Sequence, residues 1–380
     1  MTKKNIPFNQ PEIDERIYPY LKQVIESGKL SGDGPMGKAA EKQIENLFSV
    51  RHALLTTSGT HALEIATLLL SLRPGDEVLL PSFTFVSTAN AILRGGGTPV
   101  FCDINDRTFT IDLGEIERRL TPKTRAIIAV HYAGVSAEMN EIMELAERRN
   151  LVVIEDAAQG VNAKYRHQFL GKIGHCGAYS FHDTKNYISG EGGAFLTGDD
   201  VIARRAEIIR EKGTNRANFL RGEVDKYTWI EPGSSYILSD LLAAVLKYQL
   251  DNLEPIQKRR KQIHDAYITR LKDLENRERL RLPIIPSYCE SNYHIFYILL
   301  PDEAKRNQLM QSAKARGVNT TFHYVPLHSS PFATKVLGTS RLQLPVTDNV
   351  SGCLLRLPIY PRLKNEDVDY IVETLHELLA

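Results

Sequence analysis

The chain has 380 residues, and 47 Lys+Arg against 46 Asp+Glu leave a formal net charge of +1. That balance gives no global field to attract nucleic acid or an anionic membrane, so neither is expected as a partner. Hydrophobic residues are 42% and charged residues 24%, a globular mix that argues against long disorder and leaves room for one large domain with a smaller companion. The four cysteines, Cys102, Cys176, Cys289 and Cys353, are too few and too scattered for a disulfide framework. No CxxC pair occurs, so no metal site is expected. The first residues carry two lysines with no apolar stretch behind them, unlike a secretory leader. No apolar run approaches the ~20 residues of a membrane span. A cytoplasmic protein is the expectation.

Apolar spacing predicts helices over 11–30 and 35–48, broken at Ser31-Gly32-Asp33-Gly34-Pro35. Strands and helices then alternate. His52–Thr56 reads as a strand, Thr60–Leu72 as a helix, Glu77–Leu80 as a strand and Val86–Leu93 as a helix. Pro99–Asp103, Arg125–His131 and Leu151–Glu155 read as strands, with helices over Leu113–Leu120 and Ala137–Arg149 between them. The strands are continuous apolar runs, as expected of a mostly parallel sheet covered on both faces. Over 165–197 the alternation stops. A helix follows over Ile202–Lys212, then a long polar loop, Gly213–Ser235, that holds the only tryptophan, Trp229. A loop of that length inside a compact protein is usually functional. A long helix runs from Leu238 toward Leu274 with an interruption near Pro255, and His294–Leu300, Val318–Phe322 and Asp367–Leu379 suggest a smaller α+β domain. The expected division is 1–255 and 256–380.

Gly32-Asp33-Gly34-Pro35-Met36-Gly37-Lys38-Ala39 nearly matches a nucleotide-triphosphate loop. Ala39 stands where a hydroxyl should hold magnesium, and a helix rather than a strand precedes it. The glycine fingerprint of a dinucleotide dehydrogenase is absent. Three other features combine. Asp156 stands at the end of the apolar strand Val152–Glu155, where open α/β sheets bind ligands. Lys185 follows Tyr179-Ser180-Phe181-His182-Asp183-Thr184 and precedes Gly190-Glu191-Gly192-Gly193, an aromatic and glycine-rich setting that can lower an amine's pKa. Thr57-Ser58-Gly59-Thr60 opens a helix after a strand, a start that suits a phosphate. Each has a bland alternative: a helix cap, a solvated lysine, an ordinary capped helix. Together they supply the amine, the anion and the phosphate cup that pyridoxal 5′-phosphate (PLP) requires.

At these residues the chain resembles the sugar aminotransferases of the DegT/DnrJ/EryC1/StrS group. The likeness rests on Pro81-Ser82-Phe83-Thr84-Phe85-Val86-Ser87-Thr88, Glu155-Asp156-Ala157-Ala158-Gln159-Gly160, Ser180–Lys185 and Gly190–Gly193, and extends over nearly the whole chain. It implies an α/β protein of the fold type I PLP-dependent aminotransferase class: a large domain with a mostly parallel sheet between helices, plus a smaller α+β C-terminal domain. It implies that Lys185 condenses with the cofactor aldehyde and then shuttles the proton. Asp156 pairs with the ring nitrogen, Phe85 stacks on the ring and Gln159 bonds its 3-oxygen. Gly59, Thr60 and Ser180 hold the phosphate. It further implies a homodimer with shared active sites. Ser235, standing where the family usually carries Asn, reaches the neighbour's phosphate. Lys212, Asn215 and Arg216 meet the nucleotide diphosphate, and Tyr324 and His328 face the sugar.

Ser27–Gly34, Arg210–Arg216, Val224–Trp229, Gly233–Tyr236 and His323–His328 bring the chain nearest to the branch that makes dTDP-4-amino-4,6-dideoxy-D-galactose for enterobacterial common antigen and O-antigen. The implied reaction takes dTDP-4-dehydro-6-deoxy-D-glucose and L-glutamate to that amino sugar and 2-oxoglutarate. Amination at C3 of a related sugar is the near alternative, and a non-catalytic nucleotide-sugar-binding regulator the distant one. The dehydratase branch of the family replaces the lysine by His, so Lys185 argues against it.

Overall fold

The computed structural model describes residues 4–380. A short 3-10 turn, Glu15–Ile17, leads into α1 (Tyr18–Ser27) and α2 (Pro35–Phe48). Next come β1 (His52–Thr56), α3 (Gly59–Leu69), β2 (Glu77–Pro81), α4 (Val86–Arg94), β3 (Thr98–Cys102), α5 (Leu113–Arg119), β4 (Thr124–Val130), α6 (Met139–Arg149) and β5 (Val152–Asp156). A two-residue-stranded hairpin, β6 (Lys164–Tyr165) and β7 (Gln168–Phe169), precedes β8 (Cys176–Ser180) and β9 (Gly193–Thr197). Helices α7 (Asp200–Arg210), α8 (Arg216–Leu220), α9 (Asp240–Asp251) and α10 (Leu253–Asn276) follow. The remainder carries β10 (Cys289–Glu290), β11 (Phe296–Leu299), α11 (Glu303–Ala315), α12 (Pro345–Cys353), β12 (Leu354–Leu357) and α13 (Asn365–Leu379).

Seven strands form one sheet in the order β1-β9-β8-β5-β4-β2-β3. All neighbours from β8 to β3 run parallel, and only β9 is reversed, antiparallel to both β1 and β8. Successive side chains of each strand enter opposite cores, as the two-residue period requires. Leu55, Leu79, Ile127 and Val153 pack with α2, α6 and α9, while Leu54, Leu80, Ile128 and Ile154 pack with α3, α4 and α7. The sheet is therefore sandwiched between two helical layers, and its strands lack polar alternation for that reason.

A further core joins α10, α11, α13, β11 and β12 through Ile263, Tyr267, Leu309, Phe296, Leu355 and Ile371. The expected division at 255 falls inside α10, whose Ile256 belongs to the sheet core and whose Ile263 belongs to this one. We propose units 1–255 and 256–380 with segments exchanged across that line. Ile6 packs in the second core, bridged to Val318, and Leu327, Ala333 and Leu344 pack against the sheet.

Several local expectations are corrected. The helix interruption lies at Asn252, and Pro255 sits in the first turn of α10, where its missing N–H costs nothing. Val318–Phe322 forms isolated bridges to Ile6 and Arg356 rather than a strand. The polar loop 213–235 contains the short helix α8. At the near-match to a phosphate loop, the N-terminus of α2 is already capped: the backbone N–H groups of Met36 and Gly37 donate to the buried Asp240 carboxylate at 3.1 and 2.7 Å. Asp240 also fills the space where a Gly34 side chain would be, only 2.3 Å from its Cβ position. The chain's own carboxylate occupies the anion site there. Among the described residues, no helix is long and apolar enough to cross a membrane.

Candidate active site

The carboxyl ends of β1, β5 and β8 and the start of β9 lie along one edge of the sheet. Thr56 and Ser180 both pair with Gly193, and Asp156 pairs with Ala178. A cavity of about 460 Å³ opens at that edge, closed from the other side by residues of the second unit such as Arg260, His294, Tyr324 and Arg356. Of the residues expected in a site, Gly59, Thr60, Phe85, Asp156, Gln159, Ser180, Lys185 and Tyr324 line it.

Lys185 hangs in the connection between β8 and β9. That connection folds back on itself: the Phe181 N–H donates to the Gly192 carbonyl at 2.8 Å and the Asp183 N–H to the Gly190 carbonyl at 3.1 Å. Gly190, at φ +88°, permits the reversal. The return is what reverses β9 and sets the lysine over the sheet edge. Burial lowers its pKa from 10.5 to about 8, with Asp156 acting to raise it and Arg356 to lower it further.

Asp156 ends β5 and is nearly inaccessible. Thr88 Oγ1 donates to its Oδ2 at 2.7 Å, the Ala158 N–H donates to its Oδ1 at 3.2 Å, and Thr84 Oγ1 lies 2.9 Å from Thr88 Oγ1. The preceding residue, Glu155, points to the other face. Its carboxylate accepts the N–H groups of Gly171, Ile173 and Gly174 at 2.8, 2.5 and 2.7 Å, and lies 2.9 Å from His131 Nε2. His131 Nδ1 accepts the Ala137 N–H at 3.2 Å, so Nε2 carries the proton and donates to Glu155. The adjacent acids thus divide the work: one faces the cavity, the other fixes the loop beneath it.

Helix α3 starts at the same edge. Ser58 Oγ accepts the His61 N–H at 3.1 Å, and the first-turn N–H groups of Gly59 and Thr60 have no intrahelical partner. Thr60 Oγ1 and Ser87 Oγ lie 2.7 Å apart. Backbones crowd here. A Cβ on Gly59 would sit 2.8 Å from Ser180 Cβ, and one on Gly193 would sit 2.5 Å from Gly59 N. The glycines permit the helix start, Ser180 and β9 to converge.

Gln159 Oε1 accepts the Ala133 N–H at 2.8 Å and its Nε2 donates to the Tyr324 hydroxyl at 2.8 Å. One amide hydrogen remains. Phe85 is 57% exposed on the cavity wall, 6.4 Å from the Tyr324 ring.

Other expected residues lie elsewhere. His328 does not reach the cavity. It is buried in packing, with Nδ1 2.8 Å from Ser82 Oγ and Nε2 3.5 Å from Asp348, so the chain 326–328 is pinned to the end of β2. Against expectation, His328 therefore does not face a sugar in this cavity. Lys212 pairs with Glu211 at 2.7 Å, Arg216 with Glu211 at 3.5 Å, and Asn215 Oδ1 accepts the Thr228 N–H at 2.7 Å. Ser235 is exposed and bridges to Glu211. These four do not line their own chain's cavity.

The lining also includes residues that sequence reasoning missed: Phe8 and Asn9 from the N-terminal segment, Arg260, His294 and Arg356. Asn9 Nδ2 donates to the Asp183 carbonyl at 3.0 Å, tying that segment to the lysine loop. Arg260 donates to the Tyr293 and His294 carbonyls at 3.1 and 2.6 Å. His294 Nδ1 lies 2.8 Å from Asn186 Oδ1, and burial holds its pKa well below the usual value. One signal was available: Arg356 is the lone charge in the apolar run Leu354-Leu355-Arg356-Leu357.

Comparison with known proteins finds a match to the DegT/DnrJ/EryC1/StrS aminotransferase family over residues 11–376. The spore coat polysaccharide biosynthesis protein SpsC of Bacillus subtilis is 33% identical, over 98% of this chain and 97% of that protein. A pleiotropic regulatory protein of Geobacillus stearothermophilus is 34% identical, over 97% and 98%. The crystal structure of NtdA from Bacillus subtilis with bound cofactor PMP superposes with a TM-score of 0.88 at 29% identity, covering 99% of this chain and 85% of that one.

Proposed function

Because the chain belongs to the DegT/DnrJ/EryC1/StrS aminotransferase family, we propose that it converts dTDP-4-dehydro-6-deoxy-D-glucose and L-glutamate to dTDP-4-amino-4,6-dideoxy-D-galactose and 2-oxoglutarate. It is a fold type I aminotransferase that uses PLP, and its transamination acts on a nucleotide-linked sugar. The observation that carries the reading is the meeting of Lys185, Asp156 and the open start of α3 in one cavity. The 4-amino product, and a role in enterobacterial common antigen or O-antigen, are supported by the segments 27–34, 210–216, 224–229, 233–236 and 323–328 alone.

The residues present fit the cofactor. The close approach that Gly59 and Gly193 permit gathers the Gly59 and Thr60 N–H groups and the Ser180 hydroxyl at one end of the cavity, and a helix start favours phosphate. When bound, PLP supplies an electron sink for the bonds at the carbon that carries the amine. The chain's own groups do the rest. Neutral Lys185 takes and returns the proton at that carbon. Asp156, held by Thr88, keeps an N–H acid charged by hydrogen bonding to it. Gln159 offers its remaining amide hydrogen to an oxygen, and Phe85 covers a ring face. We assign Lys212, Asn215, Arg216 and Ser235 to the cavity of a second copy in a homodimer, with the cationic pair facing a diphosphate. Tyr324 faces the sugar.

The test is an assay of purified, PLP-loaded protein with L-glutamate and either 4-keto or 3-keto dTDP-deoxysugars, with the amine located by NMR. The 4-axial amine is expected. A 3-amino product moves the assignment to C3. A protein that takes up no PLP and aminates neither sugar revives a regulatory reading.

A further inference from the structure

Arg356 is a cation without a counter-ion. It lies on β12 opposite Tyr297 of β11. Its neighbours Leu355 and Leu357 enter the second core, so the two-residue period sends Arg356 the other way, into the cavity. Its guanidinium carbon lies 4.8 Å from the centre of the Phe8 ring. Its Nε is buried and has no hydrogen-bond partner. Among the described residues, no carboxylate pairs with it. The other arginine on the wall, Arg260, is committed to two carbonyls. The lining acids are Asp156, taken by Thr88 and Ala158, and Glu191, which is largely exposed and faces His182 at 3.7 Å. A guanidinium whose Nε is buried without a partner is costly, and the arrangement makes sense once an anion enters.

We propose that Arg356 receives the α-carboxylate of the amino-acid donor and so selects that substrate in the first half of the reaction. This rests on the aminotransferase reading above. Both substrates are anions, but their charges lie at different distances from the reacting carbon. A donor carboxylate is one bond away from it. A nucleotide diphosphate lies beyond a whole sugar ring. Arg356 lines the same cavity as the Lys185 amine, and its Nε is buried there, so it matches the near anion. The planar fork takes a carboxylate through two parallel hydrogen bonds, with Phe8 stacked beneath it. When the sugar occupies the same space, its hydroxyl oxygens accept from the same donors.

The test titrates PLP-loaded protein with 2-oxoglutarate, which cannot react with that form, and separately with dTDP. Wild type binds both. R356Q should weaken 2-oxoglutarate by about 10- to 100-fold and leave dTDP within about twofold. R356K keeps the charge but loses the fork, and should weaken 2-oxoglutarate by a smaller factor; it serves the same purpose if R356Q does not fold. Unchanged 2-oxoglutarate affinity in a folded variant overturns the proposal. So does an equal loss for dTDP, which gives the guanidinium to the diphosphate. If the sugar assays fail while 2-oxoglutarate binding still depends on Arg356, the sugar assignment falls and this inference stands.

Discussion

Burial lowers the Lys185 ammonium from its ordinary 10.5 to about 8, Arg356 lowers it further and Asp156 opposes both. Only the neutral amine attacks an aldehyde, and its fraction grows with pH until the pKa is passed. The initial rate of PLP uptake by cofactor-free protein should therefore rise about tenfold per pH unit below 8 and level off above it. Absorbance at mixing measures this directly. A plateau reached only near pH 10 would mean that water solvates the amine. The Asp156 carboxylate is held by the Thr88 hydroxyl. Thr88→Val keeps the side-chain shape and removes the 2.7 Å donor to Asp156. A lost hydrogen bond to a buried charge costs about 1.5–3 kcal/mol, so the variant should unfold at lower urea and release PLP faster on dialysis. Unchanged denaturation and retention would show that water replaces the hydroxyl.

Elements meet most closely where β9 passes the start of α3. A Cβ on Gly193 would lie 2.5 Å from Gly59 N and from the Ser58 carbonyl. Gly193→Ala must push helix and strand apart and so widen the cup beside Ser180. Inorganic phosphate and PLP should both bind about tenfold or more weakly, with smaller loss of folding stability. Retained affinity would place the phosphate elsewhere. This junction also marks where the sequence could be read and where it could not. β1 to β5 were legible because burial on both faces makes them apolar runs between clear helices. β8 and β9 escaped notice: Cys176-Gly177-Ala178-Tyr179-Ser180 and Gly193-Ala194-Phe195 use small residues to let backbones approach, and small residues carry little periodic signal. Asp156, Lys185 and the α3 start were legible from their local chemistry. Arg260 and His294 were not, and Arg356 only as a lone charge in an apolar run, because only tertiary packing brings the second unit over the sheet edge.

At the scale of the molecule, the segment 213–235 is positioned but does not line its own chain's cavity. Gly213 and Gly233 lock its base, a Cβ on either falling within about 2 Å of backbone, and the Ile230 N–H donates to the Gly213 carbonyl at 2.7 Å. Yet Phe219, Tyr227, Trp229 and Ile230 are left exposed beside Lys212 and Arg216. An ordered loop presenting apolar rings and cations suits burial against a second subunit, with the cations offered to that subunit's ligand. Mixed protomers decide between service in cis and in trans. K185A and the double variant K212A/R216A should each be nearly inactive as homodimers. Co-refolded together, their heterodimers contain one cavity with an intact lysine and, if the loop acts in trans, an intact loop from the partner. Activity should return to about half the wild-type rate per heterodimer, since one of two sites is whole. If the loop acts in cis, every cavity lacks one component and mixing restores nothing. Salt sharpens the distinction: raising ionic strength should raise the KM for the sugar nucleotide in wild type and do so less in K212A/R216A, because the screened attraction is already gone.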